Sequence, residues 1–204
     1  KVFASALEKS SPMGSGVVKA FRVPKGAEKL TRKLTDGYSQ WITTFGAGGV
    51  PTTKFTENGF ETGIARFLEP IADELRERLG CEPGDQLFFT ADTWETATKA
   101  IGELRIKIAH DMDLIDNSEW KFVWVVDFPM FEYDEENERW VALHHMFTAP
   151  MPGQEPLLET DPGKCISAGY DLVANGSEIG GGSIRIHDPA IQQKVFDLTG
   201  FTPE

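Results

Sequence analysis

Hydrophobic patterning divides the chain into two parts near residue 115. In the first part, apolar residues at helical spacing alternate with short apolar runs bounded by turn residues, which is typical of mixed helices and strands. Beyond the polar stretch DLIDNSEW at 113–120, nearly every apolar run has the length of a strand. We therefore predict an α+β fold with a first domain at residues 1–115 and a second at residues 116–204.

The first domain is predicted to form a sheet with helices on one face. Its predicted strands are 2–7, 17–23, 50–56 and 86–92, and its predicted helices are 31–46, 64–80 and 93–112. Pro70 lies in the first turns of the second helix, where its ring either fits or produces a kink. Gly80 is predicted to end that helix.

The second domain is predicted to consist mainly of strands. The segment KFVWVVDFP at 121–129 is almost wholly apolar, as in a strand buried on both faces. A hairpin follows at 131–145, then a proline-rich loop at 149–163 and two consecutive strands in YDLVANG and SEIGGGSIRIH. Asp188 as a cap and Pro189 at the first position predict a final helix that ends at Gly200.

Composition limits the class of protein. Hydrophobic residues make up 40% of the 204 positions, which is enough to bury a core. No apolar run approaches the roughly 20 residues that span a bilayer. Cys81 and Cys165 fit neither a disulfide framework nor a metal-ligand spacing, which favours reduced thiols in a cytoplasmic protein. Because the chain opens at Lys1 as if inside an element, we expect it to be part of a longer protein.

Charge is distributed unevenly along the chain. The formal net charge is -12, but residues 1–35 carry eight basic and two acidic side chains. A basic segment of this kind can face a phosphate backbone. A solvated basic face on an acidic protein explains the same pattern, and composition alone favours that explanation.

The stretch NGSEIGGGSIRIH at 175–187 contains the main candidates for ligand binding. In an extended strand, Ser183, Arg185 and His187 share one face, while Ile184 and Ile186 take the other. If the isoleucines are core, the arginine faces solvent or a polar cleft. The planar guanidinium of Arg185 fits a carboxylate or a phosphate through two parallel hydrogen bonds.

Three consecutive glycines, Gly180, Gly181 and Gly182, interrupt this strand pattern. Glycines weaken a strand, and their usual uses are a bulge or a close approach of backbone to ligand. Glu178 beside them can hold Mg²⁺ or a polar hydrogen of a ligand. The alternative is a β-bulge with a surface ion pair between Glu178 and Arg185.

Two adjacent histidines, His144 and His145, form a second candidate site. In a strand they point to opposite faces and cannot both bind one metal, which argues against a zinc pair. One of them can still donate to an anionic substrate, and the alternative is one surface and one core histidine. No triad arrangement and no Walker-type glycine loop is recognisable, so we assign no catalytic nucleophile.

Taken together, these motifs resemble bacterial-type aspartyl-tRNA synthetases, a class II family. DFPMFE at 127–132, the paired histidines before FTAP, and the NGSEIGGGSIRIH run with QQKVF after it occur in the family's order and approximate spacing. They resemble part of the catalytic domain, an antiparallel sheet. AFRVPKGAEKLTRK and DQLFFTAD in the first domain resemble the GAD insertion domain of that family.

The resemblance implies an enzyme that activates L-aspartate with ATP to aspartyl-adenylate, using Mg²⁺, and transfers the aspartate to tRNA(Asp). No covalent enzyme intermediate is implied. By motif, Arg185 and His144 would contact the aspartate, with Arg185 on its side-chain carboxylate. Glu178 would bind ATP through magnesium. Gly180–Gly182 and Ser183 would line the pocket, in a cytoplasmic homodimer.

The chain departs from the family pattern in two respects. Met146 follows the histidines where the family has proline, which relaxes the backbone constraint on His145. No stretch resembles the three class II motifs, so we expect the chain alone to be inactive. The alternative function is a non-catalytic, tRNA-contacting GAD-type module, as in amidotransferase subunits. Whether tRNA(Asn) is also charged stays open.

Overall fold

The computed structural model describes residues 2–201, and their contacts divide into a first unit that ends at Ile115 and a second that begins at Asp116. Both units combine helices with antiparallel sheets, which confirms the predicted α+β class. Within the described range, no helix combines the length and apolar character needed to cross a membrane.

Helices and strands alternate in the first unit. Its elements are α1 (Ala4–Leu7), β1 (Ser10–Ser11), β2 (Gly14–Ser15), β3 (Val17–Val23), α2 (Gly26–Lys29), α3 (Arg32–Trp41), β4 (Thr52–Thr56), β5 (Gly59–Glu61), α4 (Ala65–Leu68), α5 (Ala72–Leu79), β6 (Gln86–Asp92) and α6 (Trp94–Asp111). The main sheet is antiparallel with the order β3-β6-β4-β5, and β1 pairs with β2.

Helices cover both faces of the main sheet, so the prediction of helices on one face is wrong. Phe88 on the interior strand β6 packs with Leu104 of α6. Its neighbours Leu87 and Phe89 point to the other face and pack with Leu68 of α4. Because successive strand residues alternate between faces, an interior strand that is apolar at every position needs a helical layer on each side.

Most predicted elements of the first unit are present. The strands at 17–23 and 86–92 are confirmed, and the helix predicted at 64–80 is broken into α4, a 3-10 turn at Glu69–Ile71 and α5. The break coincides with Pro70, which removes a backbone donor. The strand predicted at 2–7 is wrong, since Ala4–Leu7 is helical. Ala4, Ala6 and Leu7 are strong helix formers.

The second unit is built mainly from strands. Its elements are β7 (Phe122–Val125), β8 (Phe131–Asp134), β9 (Arg139–Ala142), α7 (Leu157–Thr160), β10 (Gly169–Ala174), β11 (Ser177–Ser183) and α8 (Pro189–Thr199). One antiparallel sheet has the order β11-β10-β7, and β8 pairs with β9. The core contains Phe131, Cys165 and Val195. The predicted loop at 149–163 missed α7, which buries Leu158.

The final helix is confirmed with its predicted ends. The Asp188 Oδ1 atom accepts a hydrogen bond from the Ala190 amide at 2.8 Å, and Pro189 occupies the first turn. Gly200 ends the helix in the left-handed region with φ of 72°. Short-range signals of capping and φ therefore defined this element.

Strand β7 is exposed, contrary to the predicted burial on both faces. Phe122, Val123 and Trp124 expose 61%, 56% and 58% of their surface. Within residues 116–201, β7 pairs only with β10 and no layer covers these side chains. An apolar run of this kind indicates that a strand can be buried, but not that its own unit supplies the covering layer.

Candidate functional site

The candidate site lies on β10 and β11, whose pairing contains one irregularity. Leu172 lies opposite Gly180, whereas the next residue, Val173, lies opposite Glu178. Ile179 is therefore an additional residue on β11, and the arrangement is a β-bulge. A bulge shifts the alternation of side chains by one position along its strand.

This bulge places Glu178 on the same face of the sheet as Arg185. In a regular strand a separation of seven residues puts two side chains on opposite faces. Directly opposed residues of an antiparallel pair point to the same side. Glu178 opposes Val173 and Gly181 opposes Asp171, so Asp171 of β10 also belongs to this face. Asp171 can be assigned to this site only from the pairing register of β10 and β11, and no sequence motif predicts that register.

Two of the three glycines make room for side chains of β10. A Cβ atom on Gly181 would lie 2.3 Å from Asp171 Oδ1, and one on Gly182 would lie 2.7 Å from the Tyr170 hydroxyl oxygen. A Cβ atom on Gly180 would meet open space. The sequence led us to expect a ligand close to the glycine backbone. At Gly181 and Gly182 that space is taken by side chains of the neighbouring strand β10.

Arg185 is held by Ser183 and lies against a histidine ring. Its Nη1 atom donates to Ser183 Oγ at 2.7 Å and lies 3.2 Å from His145 Nδ1. The Thr148 hydroxyl donates to the same Ser183 oxygen at 3.3 Å. Within residues 2–201, no ion pair joins Arg185 to Glu178 or to another carboxylate. The exposed guanidinium is therefore available to an external anion.

The histidine beside Arg185 is His145, while His144 lies elsewhere. Burial lowers the pKa of His145, and the positive charge of Arg185 lowers it further. A neutral imidazole can accept a hydrogen bond from the guanidinium. The exposed His144 packs edge-on against Phe128, with ring centroids 4.7 Å apart. Leu143 and His144 form a bend after β9 and His145 follows it, so both histidines lie outside regular strand geometry.

Carboxylates on this face suit magnesium bound together with a substrate. Across residues 2–201, no cluster of three or more histidine, cysteine or acidic side chains forms a ready metal site. Magnesium is commonly held by only one or two carboxylates, with waters and substrate phosphates completing the shell. Asp171 and Glu178 are diagonal neighbours, a relationship that places residues about 7–8 Å apart. They fit this mode of binding.

Ion pairs neutralise part of the basic segment at 1–35. Lys9 pairs with Asp92 at 2.7 Å and Arg22 pairs with Asp85 at 2.9 Å. Arg32 lies 3.7 Å from Asp36, and Lys1 falls outside the described residues. These contacts reduce the charge available to a phosphate backbone.

Comparison with known proteins gives these features a context. Residues 3–101 match the GAD domain. The whole chain is 44% identical to the aspartate–tRNA ligase of Halalkalibacterium halodurans and 42% identical to that of Staphylococcus carnosus. It is 44% identical to the aspartate–tRNA(Asp/Asn) ligase of Desulfatibacillum aliphaticivorans. The chain spans 34% of the length of each of these relatives.

The comparisons confirm the resemblance inferred from DFPMFE, the histidine pair and the glycine run. They also confirm the GAD domain inferred from the first part of the chain. An identity of 42–44% that extends through both units excludes a likeness restricted to one motif. The chain is therefore homologous over its whole length to the bacterial aspartate–tRNA ligase family, and residues 3–101 form a GAD domain.

Proposed function

We propose that the second unit supplies part of the aspartate and ATP site of an aspartate–tRNA ligase. The enzyme activates L-aspartate with ATP to aspartyl-adenylate and then transfers the aspartate to tRNA(Asp). The observation that carries this proposal is Arg185, held by Ser183 without a carboxylate partner in the described chain, on the same face as Glu178 and Asp171. The names of the relatives support the reaction class.

Arg185 binds the side-chain carboxylate of aspartate in this proposal. A guanidinium offers two parallel N–H groups to a carboxylate, and it is left unpaired by the neutral amide of asparagine. Ser183 orients the guanidinium at 2.7 Å, and neutral His145 contacts it without adding a second positive charge. The exposed His144 is proposed as a further aspartate contact, on the resemblance of its motif.

Glu178 and Asp171 bind the triphosphate end of ATP through Mg²⁺. When bound, the ion neutralises negative charge on the phosphate oxygens. The two carboxylates would hold the ion from adjacent strands, and the bulge at Ile179 puts Glu178 on the face that Asp171 and Arg185 share. Gly181 and Ser183 alternate on that face, whereas Gly180, opposite Leu172, faces the other side. A pocket lined by Gly180–Gly182 and Ser183 is proposed on the resemblance of the motif. No group of this chain is assigned as a nucleophile, because the aspartate carboxylate attacks ATP directly.

The remaining contacts with substrates are proposed to come from other parts of a longer polypeptide. The chain spans 34% of its relatives and resembles none of the three class II motifs, so alone it is expected to be inactive. We propose a cytoplasmic homodimer on the same resemblance. The thiols of Cys81 and Cys165 are both free, which is consistent with a reducing compartment. The name of one relative, aspartate–tRNA(Asp/Asn) ligase, makes tRNA(Asn) a candidate second substrate.

A chimeric enzyme tests this proposal. The homologous third of the Halalkalibacterium halodurans ligase is replaced by this chain, and amino-acid-dependent ATP–pyrophosphate exchange is measured with aspartate, asparagine and glutamate. We expect exchange with aspartate only, lost in the Arg185→Ala chimera and absent from the 204-residue chain alone. A folded chimera that exchanges with none of the three amino acids would contradict the proposal and favour the non-catalytic GAD module.

A further inference from the structure

A cavity of about 1020 Å³ in the first unit runs along the edge of β3. Val17–Phe21 of β3 line it together with residues from both helical layers. Ile71 and Leu75 contribute from the α5 side, and Trp94 and Ile101 contribute from the α6 side. The two helical layers lie on opposite faces of the sheet. A cavity that is lined by residues of both layers must therefore extend around the edge strand β3. We refer to it as the β3-edge groove.

The edge of β3 that borders this groove offers unpaired backbone groups. Among the described residues β3 pairs with β6 alone, at one end of the four-stranded sheet. An edge strand presents a row of N–H and C=O groups that an added strand can satisfy. At seven residues, Val17–Val23 is long enough to pair with an extended segment.

The groove is positively charged although the chain is strongly acidic. Its lining includes Lys19, Arg78 and Arg105 and no acidic residue, in a chain with a formal net charge of -12. None of these three cations takes part in an ion pair with another residue of the 2–201 range. The groove therefore has the charge complementary to an acidic partner.

The two sides of the edge differ in charge: the α6 side carries two cations, Lys19 and Arg105, whereas the α5 side carries one, Arg78, beside the apolar Leu75. Lys19 lies on the same face of β3 as Phe21, which packs on the α6 side. The Nζ atom of Lys19 lies 5.3 Å from the centroid of the Trp94 ring. Arg105 belongs to α6 as well. Ala20 points to the other side, where Leu75 packs. A strand added here presents alternate side chains to the two sides.

We propose that the β3-edge groove binds an extended peptide segment in which acidic and aliphatic residues alternate, by adding it as a strand beside β3. Its carboxylates meet Lys19 and Arg105 on the α6 side, and its aliphatic side chains pack against Ile71 and Leu75 on the α5 side. Main-chain hydrogen bonds to β3 contribute affinity, and the alternating side chains contribute specificity. The groove lies wholly within the first unit, so this binding is independent of the aspartate site.

Two other occupants fit the groove less well. Pairing of two copies through β3 would bring like charges at Lys19 and Arg105 together, which opposes association. RNA binding generally uses several phosphate contacts and open aromatic faces for stacking. The lining offers three cations, and Lys19 already lies over the Trp94 ring.

The binding test uses the 204-residue chain and two fluorescein-labelled, end-blocked peptides, (Leu-Glu)4 and (Leu-Lys)4. Fluorescence anisotropy is expected to show saturable binding of the glutamate peptide alone. In the double variant Lys19→Glu/Arg105→Glu, affinity for (Leu-Glu)4 should fall at least about tenfold and (Leu-Lys)4 should gain binding. The control Lys29→Glu/Lys33→Glu makes the same charge change at exposed residues outside the groove lining and should bind like the unaltered chain.

A second arm does not depend on the folding of any variant. Methylation of alternate amide nitrogens of (Leu-Glu)4 removes strand hydrogen bonds without altering its charge, and it should weaken binding to the unaltered chain at least about tenfold. Hydrogen exchange should slow in Val17–Val23 when the unmodified peptide is bound. No saturable binding, equal binding of the methylated peptide, or equal loss in the control variant would each overturn the proposal. Stronger protection of β3 by oligouridylate, or by self-association, would assign the groove to RNA or to a second copy.

Discussion

Glu178 and Arg185 lie on one face of the same sheet although seven positions separate them, because Ile179 forms a bulge opposite the Leu172–Val173 step. The bulge therefore decides whether the Glu178 carboxylate and the Arg185 guanidinium share a face. Asp171 of the adjacent strand lies on that face independently of the bulge, because it opposes Gly181, which alternates regularly with Ser183. A regular strand would place Glu178 on the other face.

The glycine run gives a matched pair of variants. In Gly182→Ala the added methyl group meets the Tyr170 hydroxyl oxygen at 2.7 Å, whereas in Gly180→Ala it meets open space. Tyr170 is 41% exposed and its side chain can move aside, so we expect Gly182→Ala to lower the free energy of unfolding by no more than about 1 kcal/mol, below the usual cost of overpacking a core. Gly180→Ala should not lower it, since alanine loses less conformational freedom than glycine on folding. Urea unfolding of both variants makes the comparison, and equal destabilisation would contradict the close contact with Tyr170.

Arg185 is predicted to be irreplaceable by lysine in the chimeric ligase. Lysine keeps the charge but loses the planar pair of donors. We expect Arg185→Lys to lower kcat/KM for aspartate activation nearly as much as Arg185→Ala, by roughly 30-fold or more, since truncating one partner of a buried charge pair costs about 2–5 kcal/mol.

Steady-state ATP–pyrophosphate exchange measures this loss. Lys194→Ala serves as the control, because Lys194 is a cation of α8 paired with Glu159 at the surface. Activity of the Arg185→Lys chimera equal to that of the unsubstituted chimera would show that charge alone suffices.

The stability of the chain is predicted to depend on His145 in mildly acidic solution. Burial and the Arg185 charge lower the pKa of His145 in the folded state, below the unperturbed value near 6.5. As the pH falls through 6.5, the unfolded chain binds a proton that the folded chain resists, so the free energy of unfolding decreases. Above this range the neutral form predominates in both states and the stabilisation is fully present.

Urea unfolding between pH 5 and pH 8 tests the contribution of His145. His145→Gln should flatten the decrease below pH 6.5, whereas His187→Gln, at an exposed residue close to Arg185, should leave it unchanged. An identical pH profile in the two variants would show that His145 is not the responsible group.

A buried carboxylate organises one end of the main sheet in the first unit. Asp85 is 1% exposed, and its oxygens accept hydrogen bonds from Arg22 Nη1 at 2.9 Å, the Lys25 amide at 3.1 Å and the Glu82 amide at 2.9 Å. Asp85→Ala leaves these donors unpaired and should cost about 3–5 kcal/mol. Asp36→Ala, which removes an exposed partner of Arg32, should cost less than about 1 kcal/mol. Similar costs in urea unfolding would contradict the difference in burial.

Short-range chemistry in the sequence determined several elements and the candidate strand. The cap at Asp188, Pro189 and the terminal Gly200 defined α8, and uninterrupted apolar runs defined β3 and β6. Motif resemblance singled out Glu178 and Arg185. These features depend on dihedral preference, capping and side-chain chemistry, which neighbouring residues specify.

Tertiary structure alone decided which groups meet. Strand register revealed the bulge at Ile179 and added Asp171, and the bend after β9 placed His145 beside Arg185. The tertiary structure also leaves Trp124 of β7 exposed, although the apolar run at 121–129 predicted a buried strand. Hydrophobic periodicity states which face of an element is apolar. Pairing register and the covering layer depend on residues distant in the chain, so local sequence does not specify them.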